Sequence, residues 1–370
     1  MGKSIKLFRI NGIPIGLHPS WFIIFLFLTW SLANGYFADQ GLSLPFAGIW
    51  ALGIATSLLF FGSVLAHELG HAFVALRNNI PVKSISLFFL GGVAQIEREP
   101  RAPGEEFRIA IAGPMVSLTL AVIFNSLSQF SAGLPYLAAA FDYLGRVNLL
   151  LGAFNLIPGF PMDGGRILRA LIWKLTGDNY RATRAASFTG QLVAFGFIAF
   201  GVFNVITGNL MNGIWMGFIG LFLLNLAGSA AAQANLQQKL DGVNVEQVMN
   251  RYYPSITGET TIAQLVSNTL AVNAQGTYLV VDPGTPPGIL TLGEIARVPR
   301  HLWNQIRARE VMKPLERLVQ ISPDTPLLTA LQEMEAADLR FVPVLEGFQV
   351  KGILSREQVH NYLRLRTQLG

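Results

Sequence analysis

The chain contains no cysteine, and only 13% of its 370 residues are charged. The absence of cysteine excludes disulfide bonds and thiolate metal ligands, which leaves histidine, aspartate and glutamate as the strong protein ligands for a transition metal. The scarcity of charge accompanies 51% hydrophobic residues and a mean hydropathy of +0.44. This composition is not that of an ordinary soluble protein and favours a chain that lies in a lipid bilayer.

The net charge of +5 does not indicate a nucleic-acid partner. No basic stripe interleaved with aromatic residues is present, so we expect no nucleic-acid binding. Lysine and arginine instead concentrate in the loops around residues 77–108 and 166–184, whereas loops 38–46 and 207–212 carry none. Because positive loops stay in the cytoplasm, this asymmetry predicts a multi-pass protein of the cell (inner) membrane with both termini cytoplasmic.

Six segments are long and apolar enough to cross a bilayer, which needs about 20 residues per helix. The first could be a signal peptide, but it lacks a convincing cleavage site, so we interpret it as an uncleaved anchor. The segments are 19–37, 46–76, 105–129, 136–157 continuing into 164–175, 187–207 and 211–232.

Residues 82–97, "VKSISLFFLGGVAQIE", alternate apolar and polar side chains on either side of Gly91 and Gly92. This pattern predicts a short β-hairpin. Periodicity leaves two placements open. The hairpin is either a surface turn of the cytoplasmic loop or a membrane-associated element, and the second is tolerated only against protein or a water-filled cavity.

The composition changes to that of a soluble domain after Ala234, and an internal repeat follows. "VEQVMN" (245–250) matches "AREVMK" (308–313), and "GILTLGEI" matches "GILSREQV" at a similar offset of 63 or 64 residues. The sequence therefore predicts a membrane domain, 1–234, followed by two packed α/β repeats, 235–306 and 307–370.

The stretch "AHELGH" (66–71) places three ionisable groups inside an apolar segment. Residues four apart share one face of an α-helix, so His67 and His71 can hold one ion while Glu68 lies beside it. This His-Glu-x-x-His pattern is typical of zinc sites in which the carboxylate takes a proton from water. An ionisable group at the centre of a membrane helix costs about 2.5–3.5 kcal/mol, so the cluster predicts a function rather than coincidence.

A catalytic zinc site needs a third protein ligand and one open position. Asp163 is the best candidate, because it lies in a segment interrupted by proline and glycine. Turn chemistry alone would make Asp163-Gly164 a simple turn. An interrupted apolar segment, however, is where backbone lines a cavity, which favours the ligand.

Three further polar residues are candidates for stabilising an oxyanion or positioning substrate. Asn148 and Asn155 lie two helical turns apart on one face, and Asn155 is nearer to Asp163. Hydrogen bonding between helices is an equally good interpretation of both. His18, in "GLHPSW", could bond a reacting carbonyl or be an ordinary histidine of the membrane interface.

"AHELGHAF" (66–73), together with "FNLIPGFPMDGGRIL" (154–168), resembles the site-2 protease family of intramembrane zinc metalloproteases. "HPSW", "LGGVAQI" and "AGPMVSL" also resemble stretches of that family. The resemblance implies a six-helix core and one zinc ion per chain. Within this chain it implies that the ligands are His67, His71 and Asp163, with Glu68 as the general base.

The same resemblance implies the fold class. We expect an α-helical polytopic membrane protein with about six transmembrane helices and a short membrane-associated β-hairpin. The hairpin at Gly91 and Gly92 would lie near the active site and align the substrate as an added strand. Substrates would be membrane proteins with a single transmembrane helix, cut in regulated intramembrane proteolysis. No segment is long enough for the PDZ domain that many relatives carry between core helices.

The C-terminal repeat resembles a tandem pair of cystathionine-β-synthase (CBS) domains, which implies a cytoplasmic α/β pair. Such pairs commonly bind an adenine nucleotide through an aspartate and often form homodimers. Here Glu294 stands at the matching position of the first repeat and Glu357 stands beside that of the second, each one methylene longer than aspartate. They are therefore the nucleotide-binding candidates of this chain.

Two other functions compete with an intramembrane protease. A membrane metal transporter gated by the CBS pair would also place histidine and aspartate in its helices. The glutamate between two histidines and the single interrupted helix, without paired breaks, favour the enzyme. An inactive relative that binds substrates without cutting is disfavoured, because all four residues of the zinc chemistry are present.

Overall fold

The structure is a computed structural model that describes residues 4–41, 44–89, 91–268, 277–282, 286–347 and 349–369. Its contacts divide the chain into two compact units, Met1–Ala234 and Asn235–Gly370. The first unit contains the apolar helices and the second contains the internal repeat.

Six helices within the described residues are long and apolar enough to cross a membrane, as the composition predicts. The first of them is made of α1, a π-helical turn (Leu32–Tyr36) and the short α2. The helices of this part of the chain are α1 (Ser20–Ser31), α2 (Phe37–Asp39), α3 (Phe46–Arg77), α4 (Pro103–Phe130), α5 (Pro135–Asn155), α6 (Asp163–Thr176), α7 (Asn179–Ile206) and α8 (Leu210–Leu240). Helix α6 has 14 residues and is not one of the six spans.

Two predicted helix boundaries differ from the structure. The fourth span does not continue into residues 164–175, because α5 ends at Asn155 and α6 is a separate helix. Prolines in the intervening loop lack the N–H that a continuous helix needs. The fifth span begins before the predicted 187, because the Asp178 side chain accepts hydrogen bonds from the N–H groups of Tyr180 and Arg181 at 2.8 and 3.0 Å.

The predicted hairpin is present, but it forms half of a larger sheet. Strands β3 and β4 pair in antiparallel fashion, β2 pairs with β3 in parallel, and β1 pairs with β2 in antiparallel fashion. An N-terminal hairpin that the sequence analysis did not predict therefore completes a four-stranded sheet with β4 at one edge. The strands are β1 (Ile5–Ile10), β2 (Ile13–Leu17), β3 (Val82–Phe88) and β4 (Gly91–Ile96).

Helix α3 holds this sheet in place. Ile15 on β2 and Ile85 on β3 are fully buried and pack against Ala72 of the helix. Further along, Leu17 and Leu87 belong to an apolar cluster with Phe61 and neighbouring residues of α3. Because one face of α3 binds the sheet, an adjacent face is left for the polar residues of the HELGH motif.

The second unit contains two sheets with short helices. One sheet has the order β5-β6-β7-β8, and the other pairs β9 with β10. Its strands are β5 (Ser255–Ile256), β6 (Thr277–Val280), β7 (Gly288–Thr291), β8 (Lys313–Pro314), β9 (Phe341–Glu346) and β10 (Gln349–Ser355). Its helices are α9 (Ile262–Asn268), α10 (Leu292–Ala296), α11 (Ala308–Val311), α12 (Leu327–Ala336) and α13 (Arg356–Leu369).

The two repeats exchange their first segments. Val245, from the start of the first repeat, is buried in the core that contains Val342 and Leu354 of the second. Ala308, from the start of the second repeat, is buried in the core that contains Tyr278 and other residues of the first. The sequence repeats 235–306 and 307–370 therefore do not coincide with the two packing units, because each core takes its entry segment from the other repeat.

Candidate active site

Helix α3 brings the HELGH residues to one cavity. His67 and His71 are separated by one helical turn and are both buried, with 4% and 5% of their surfaces exposed. Their Nε2 atoms are 3.2 Å apart. Glu68, one residue further round the helix, lines the same cavity.

Asp163 completes this cluster from the first position of α6. Its Oδ2 atom is 3.1 Å from Nε2 of His67 and 3.1 Å from Nε2 of His71. The loop before α6 folds back so closely that a Cβ at Gly164 or Gly165 would overlap backbone atoms of residues 156–160. The two glycines after Asp163 are therefore required for the turn that delivers its carboxylate.

The three ligand atoms suit a cation. The carbonyl of Ile109 can only accept a hydrogen bond, so Nδ1 of His71 donates to it at 2.7 Å and Nε2 of the neutral ring carries a lone pair. Nδ1 of His67 is 2.8 Å from the hydroxyl of Ser117, which holds that ring in position. The Nε2 atoms of both rings and a carboxylate oxygen thus converge on one point.

The spacing of these atoms also fits zinc. Tetrahedral zinc with bonds of about 2.0–2.1 Å separates its ligand atoms by roughly 3.3 Å. The observed separations among His67, His71 and Asp163 are 3.1–3.2 Å. Two imidazoles and one carboxylate are the donor types of catalytic zinc sites, which keep one position open for a reactant.

Gly113 on α4 makes room for the cluster. A Cβ at this position would lie 2.6 Å from Nε2 of His67 and would overlap Nε2 of His71. Only a residue without a side chain permits α4 to cover the two imidazoles at this distance. Gly113 and Ser117 both lie in "AGPMVSL" (112–118), and the resemblance of this stretch to the family did not predict a role for either residue.

Strand β4 covers Glu68. A Cβ at Gly92 would overlap Cγ of Glu68 and lie 3.1 Å from its Cδ. Ala94, also on β4, lines the same cavity as Glu68. The proposed base therefore lies between the two histidines and the edge of the sheet.

The cavity has a volume of about 710 Å³ and is largely apolar. It is formed by α1, α3, β4, α5 and the start of α6. Its polar lining includes the residues of the cluster together with Asn155 and Arg166. A cavity of this size can accept a peptide segment, since ligand sites commonly measure about 300–1,000 Å³.

Comparisons with known proteins place this site in a family. Residues 55–199 match peptidase family M50, and residues 308–365 match the CBS domain. The zinc metalloprotease MJ0392 of Methanocaldococcus jannaschii is 33% identical over 364 residues, covering 97% of this chain and 96% of that protein. Rip3 of Mycobacterium tuberculosis is 34% identical over 364 residues, covering 97% of this chain and 92% of that protein.

The chain belongs to peptidase family M50, the site-2 proteases. A solved site-2 protease from Methanocaldococcus jannaschii is 35% identical and covers 62% of this chain and 95% of its own, with a TM-score of 0.42. The family and the relatives that cover the chain identify it as an intramembrane zinc metalloprotease that acts on membrane-protein substrates in the bilayer. The comparisons do not support the alternative of a metal transporter, since the two relatives named above are zinc metalloproteases by name.

The protease brings some of the other predicted residues to its cavity. Gly91, Gly92 and Asn155 line it, and the Asn155 amide also donates to the carbonyl of Leu151 at 3.0 Å. The hairpin therefore lies against the active-site cavity rather than as a surface turn. This is the placement that non-helical backbone at membrane depth requires.

Asn148 and His18 are not among the described residues that line this cavity. The buried Asn148 donates to the hydroxyl of Ser63 at 3.2 Å, which joins α5 to α3. Nδ1 of His18 is 3.2 Å from the N–H of Ser20 and 2.8 Å from its hydroxyl, at the start of α1. Both positions match the alternative interpretations, a bond between helices and a histidine at a helix end.

In the C-terminal unit of the protease, Glu294 and Glu357 have different surroundings. Glu294 forms a capping box with Thr291, and its Oε1 is 3.0 Å from Nζ of Lys313. Glu357 lines a small cavity of about 50 Å³ together with polar residues such as Thr277 and Ser355. Gln358, which the repeat aligns with Glu294, lines the same cavity, so the predicted position in the second repeat is Gln358 rather than Glu357.

A buried ion-pair network beside the active site was not predicted. Glu106 on α4 is fully buried and is bound by Arg169 of α6, whose Nε donates to it at 2.7 Å. Nε of Arg166, which lines the active-site cavity, is 3.8 Å from the same carboxylate. The sequence shows an acidic residue at the beginning of an apolar helix, which could have indicated a buried ion pair. The arginines that pair with it follow 60 residues or more later in the chain.

Proposed function

We propose that His67, His71 and Asp163 bind one zinc ion and that Glu68 is the general base for hydrolysis of a peptide bond in the cavity. The observation that carries the proposal is the convergence of three ligand atoms, 3.1–3.2 Å apart, beside Glu68. A zinc ion held there supplies Lewis acidity, which polarises a carbonyl and makes water a stronger nucleophile. Proton transfer and substrate positioning are performed by side chains of the protein.

Glu68 moves the proton. Its carboxylate accepts a proton from the attacking water and returns it to the nitrogen of the departing amine. Its position between the histidines and Gly92 holds the carboxylate at the place where substrate and water meet. Asn155, whose side chain lines the cavity, is positioned to donate to a substrate carbonyl.

The substrate is a membrane protein with a single transmembrane helix. The carbonyls of such a helix are already paired, so a segment has to unwind before its peptide bond can be attacked. Strand β4 lies at the edge of its sheet and lines the cavity, so its outer edge can bind the unwound segment as an added strand. These hydrogen bonds offset part of the free energy lost on unwinding.

The active site opens toward the cytoplasm of the cell (inner) membrane, and both termini are cytoplasmic. The support is the loop charge, because the HELGH motif lies near the end of α3 that carries Arg77. Asp163 likewise begins the arginine-bearing α6. Substrates are therefore cut near the cytoplasmic ends of their transmembrane segments.

Reconstitution of the purified protease with a single-span substrate tests the proposal. We expect cleavage by the zinc-loaded protein, loss of cleavage after chelation, and recovery when zinc is restored. Cleavage that survives complete removal of the metal, confirmed by metal analysis of the same sample, would refute the zinc assignment.

The CBS pair regulates the protease by binding an adenine nucleotide, and it joins two chains in a homodimer. We place the ligand at the cavity beside Glu357, which residues of both repeats line and which has to widen from about 50 Å³ to accept a nucleotide. Glu294 has to leave Lys313 before it can bind a ribose. Calorimetry of the full chain with ATP and AMP, together with its mass in detergent, tests both statements; no heat of binding and a monomeric mass would contradict them.

A further inference from the structure

Arg166 places a full positive charge at the wall of the intramembrane cavity. It lies three residues after Asp163 on α6, so the two side chains share one face of the helix. Among the described residues that line the cavity, it is the one lysine or arginine. A cation that faces a largely apolar cavity is expensive unless it has a partner or a function.

Arg166 forms a long ion pair with a carboxylate that another arginine already binds. The buried Glu106 is bound closely by Arg169, through both Nε and a terminal nitrogen. Arg166 reaches the same carboxylate through Nε at 3.8 Å, which is beyond hydrogen-bonding distance. Within the described part of the chain, the two terminal nitrogens of Arg166 have no hydrogen-bond partner.

The remaining donors of Arg166 form a fork suited to a carboxylate. A guanidinium presents parallel N–H groups that bind both oxygens of a carboxylate at once. The carboxylates already in the cavity, Glu68 and Asp163, serve the proton and the metal in the proposed function. The geometry leaves Arg166 free to bind a negative group that arrives with the substrate.

We propose that Arg166 binds the carboxylate of an aspartate or glutamate in the substrate, close to the scissile peptide bond, and so determines which transmembrane segments the protease cuts. The inference rests on the proposed function, because it places the substrate in the same cavity. A segment bound along β4 presents alternate side chains toward the same side, so one substrate position faces this wall of the cavity. A basic side chain at that position is repelled.

A randomised library of single-span substrates tests the proposal. The library varies the residues around one cleavable bond, and the cut sites are read from the new N-termini that reconstituted protease produces. We expect aspartate and glutamate to be enriched at one position and lysine and arginine to be depleted there. The variant Arg166→Gln loses this enrichment, whereas Arg166→Lys retains part of it, since lysine keeps the charge but not the fork.

A double-mutant cycle separates recognition from a structural role. Changing the enriched aspartate of the substrate to asparagine should lower kcat/KM of the wild type by about tenfold to a hundredfold and leave Arg166→Gln unaffected. If Arg166 only supported Glu106, the variant would lower cleavage of both substrates by the same factor. That result would overturn the proposal.

The matched control is Arg181→Gln, which removes an exposed arginine on α7 outside the cavity. It should cut the library with the same preference as the wild type. Zinc content of one per chain in each variant shows that the metal site has formed. Cleavage by the wild type without acidic enrichment would refute the role of Arg166 alone, whereas no cleavage of any library member would refute the proposed function beneath it.

Discussion

Single glycines decide whether the metal site can form. Gly113 lies where a Cβ would overlap the ligand nitrogens of His67 and His71. Among the described residues, Gly62 on α3 has no neighbour within 4 Å of the position that its Cβ would take. A change from glycine to alanine is therefore expected to disrupt the site at Gly113 and to be tolerated at Gly62.

We predict that Gly113→Ala abolishes zinc binding, since the added methyl group occupies the space in which the two imidazoles converge. Atomic emission spectroscopy of the purified variant should find far less than one zinc per chain. The control, Gly62→Ala, should retain full zinc because the methyl group enters open space. Full zinc in both variants would contradict the geometry of the cluster.

Gly92 acts on the base rather than on the metal. We predict that Gly92→Ala displaces the carboxylate of Glu68, because the new methyl group would overlap its Cγ. Cleavage should fall by at least about tenfold, since a small misplacement of a catalytic group is costly, while zinc remains bound. Loss of the zinc along with activity would show that β4 supports the metal site and not Glu68 alone.

At the scale of single residues, the sequence predicted the candidate metal ligands and the candidate base, but not the residues that hold them in position. The i, i+4 spacing of His67 and His71 follows from helix geometry, so it could be deduced within one segment. Gly113 and Ser117 act across the contact between α3 and α4. That contact depends on how two helices pack, and no local pattern specifies their register.

Elements of the active site are joined by a buried ion pair. Glu106 on α4 and Arg169 on α6 hold the helix whose first residue is Asp163. Breaking a buried pair by removing one partner leaves an uncompensated charge, which costs about 3–5 kcal/mol. The position of the third proposed ligand thus depends on a contact outside the metal site.

We predict that Glu106→Gln lowers the free energy of unfolding by about 3–5 kcal/mol and weakens zinc binding through the displaced α6. Denaturant titration in detergent and zinc titration of the same protein measure the two effects. As a control, Arg181→Gln breaks an ion pair on the surface of α7 and should change stability by less than about 1 kcal/mol. Equal stability of both variants would mean that the buried pair does not anchor the helix.

The hairpin of β3 and β4 could be predicted from alternation, but the full sheet could not. The N-terminal strands turn at Asn11 and Gly12, both of which have positive φ angles of 48° and 83°. Asn-Gly is a strong hairpin signal, so β1 and β2 were predictable from the sequence as a pair. Their parallel contact with β3 joins segments separated by about the length of two transmembrane helices, which local periodicity does not reveal.

At the scale of the whole molecule, the loop charges predict the orientation in the membrane. Because the chain has no native cysteine, single cysteines can report accessibility without background. In intact cells stripped of an outer membrane, a maleimide that does not cross the bilayer should label Ala132→Cys in the loop between α4 and α5. It should label Asp241→Cys only after permeabilisation; the opposite pattern would reverse the proposed orientation.

The apolar spans and the internal repeat were visible in the sequence, because composition and periodicity are local properties. The reciprocal exchange in the C-terminal unit was not visible, since Val245 and Ala308 are each buried in the core of the other repeat. A repeat identifies similar segments but does not specify which copies pack together.

The central claim is that Glu68 performs proton transfer beside a zinc ion held by its neighbours. The most direct measurement compares wild type with Glu68→Gln for both zinc content and cleavage of a reconstituted single-span substrate. We predict one zinc per chain in both proteins and cleavage only by the wild type, because glutamine keeps the size of the side chain but cannot accept the proton. Cleavage by Glu68→Gln at the rate of the wild type would contradict the account.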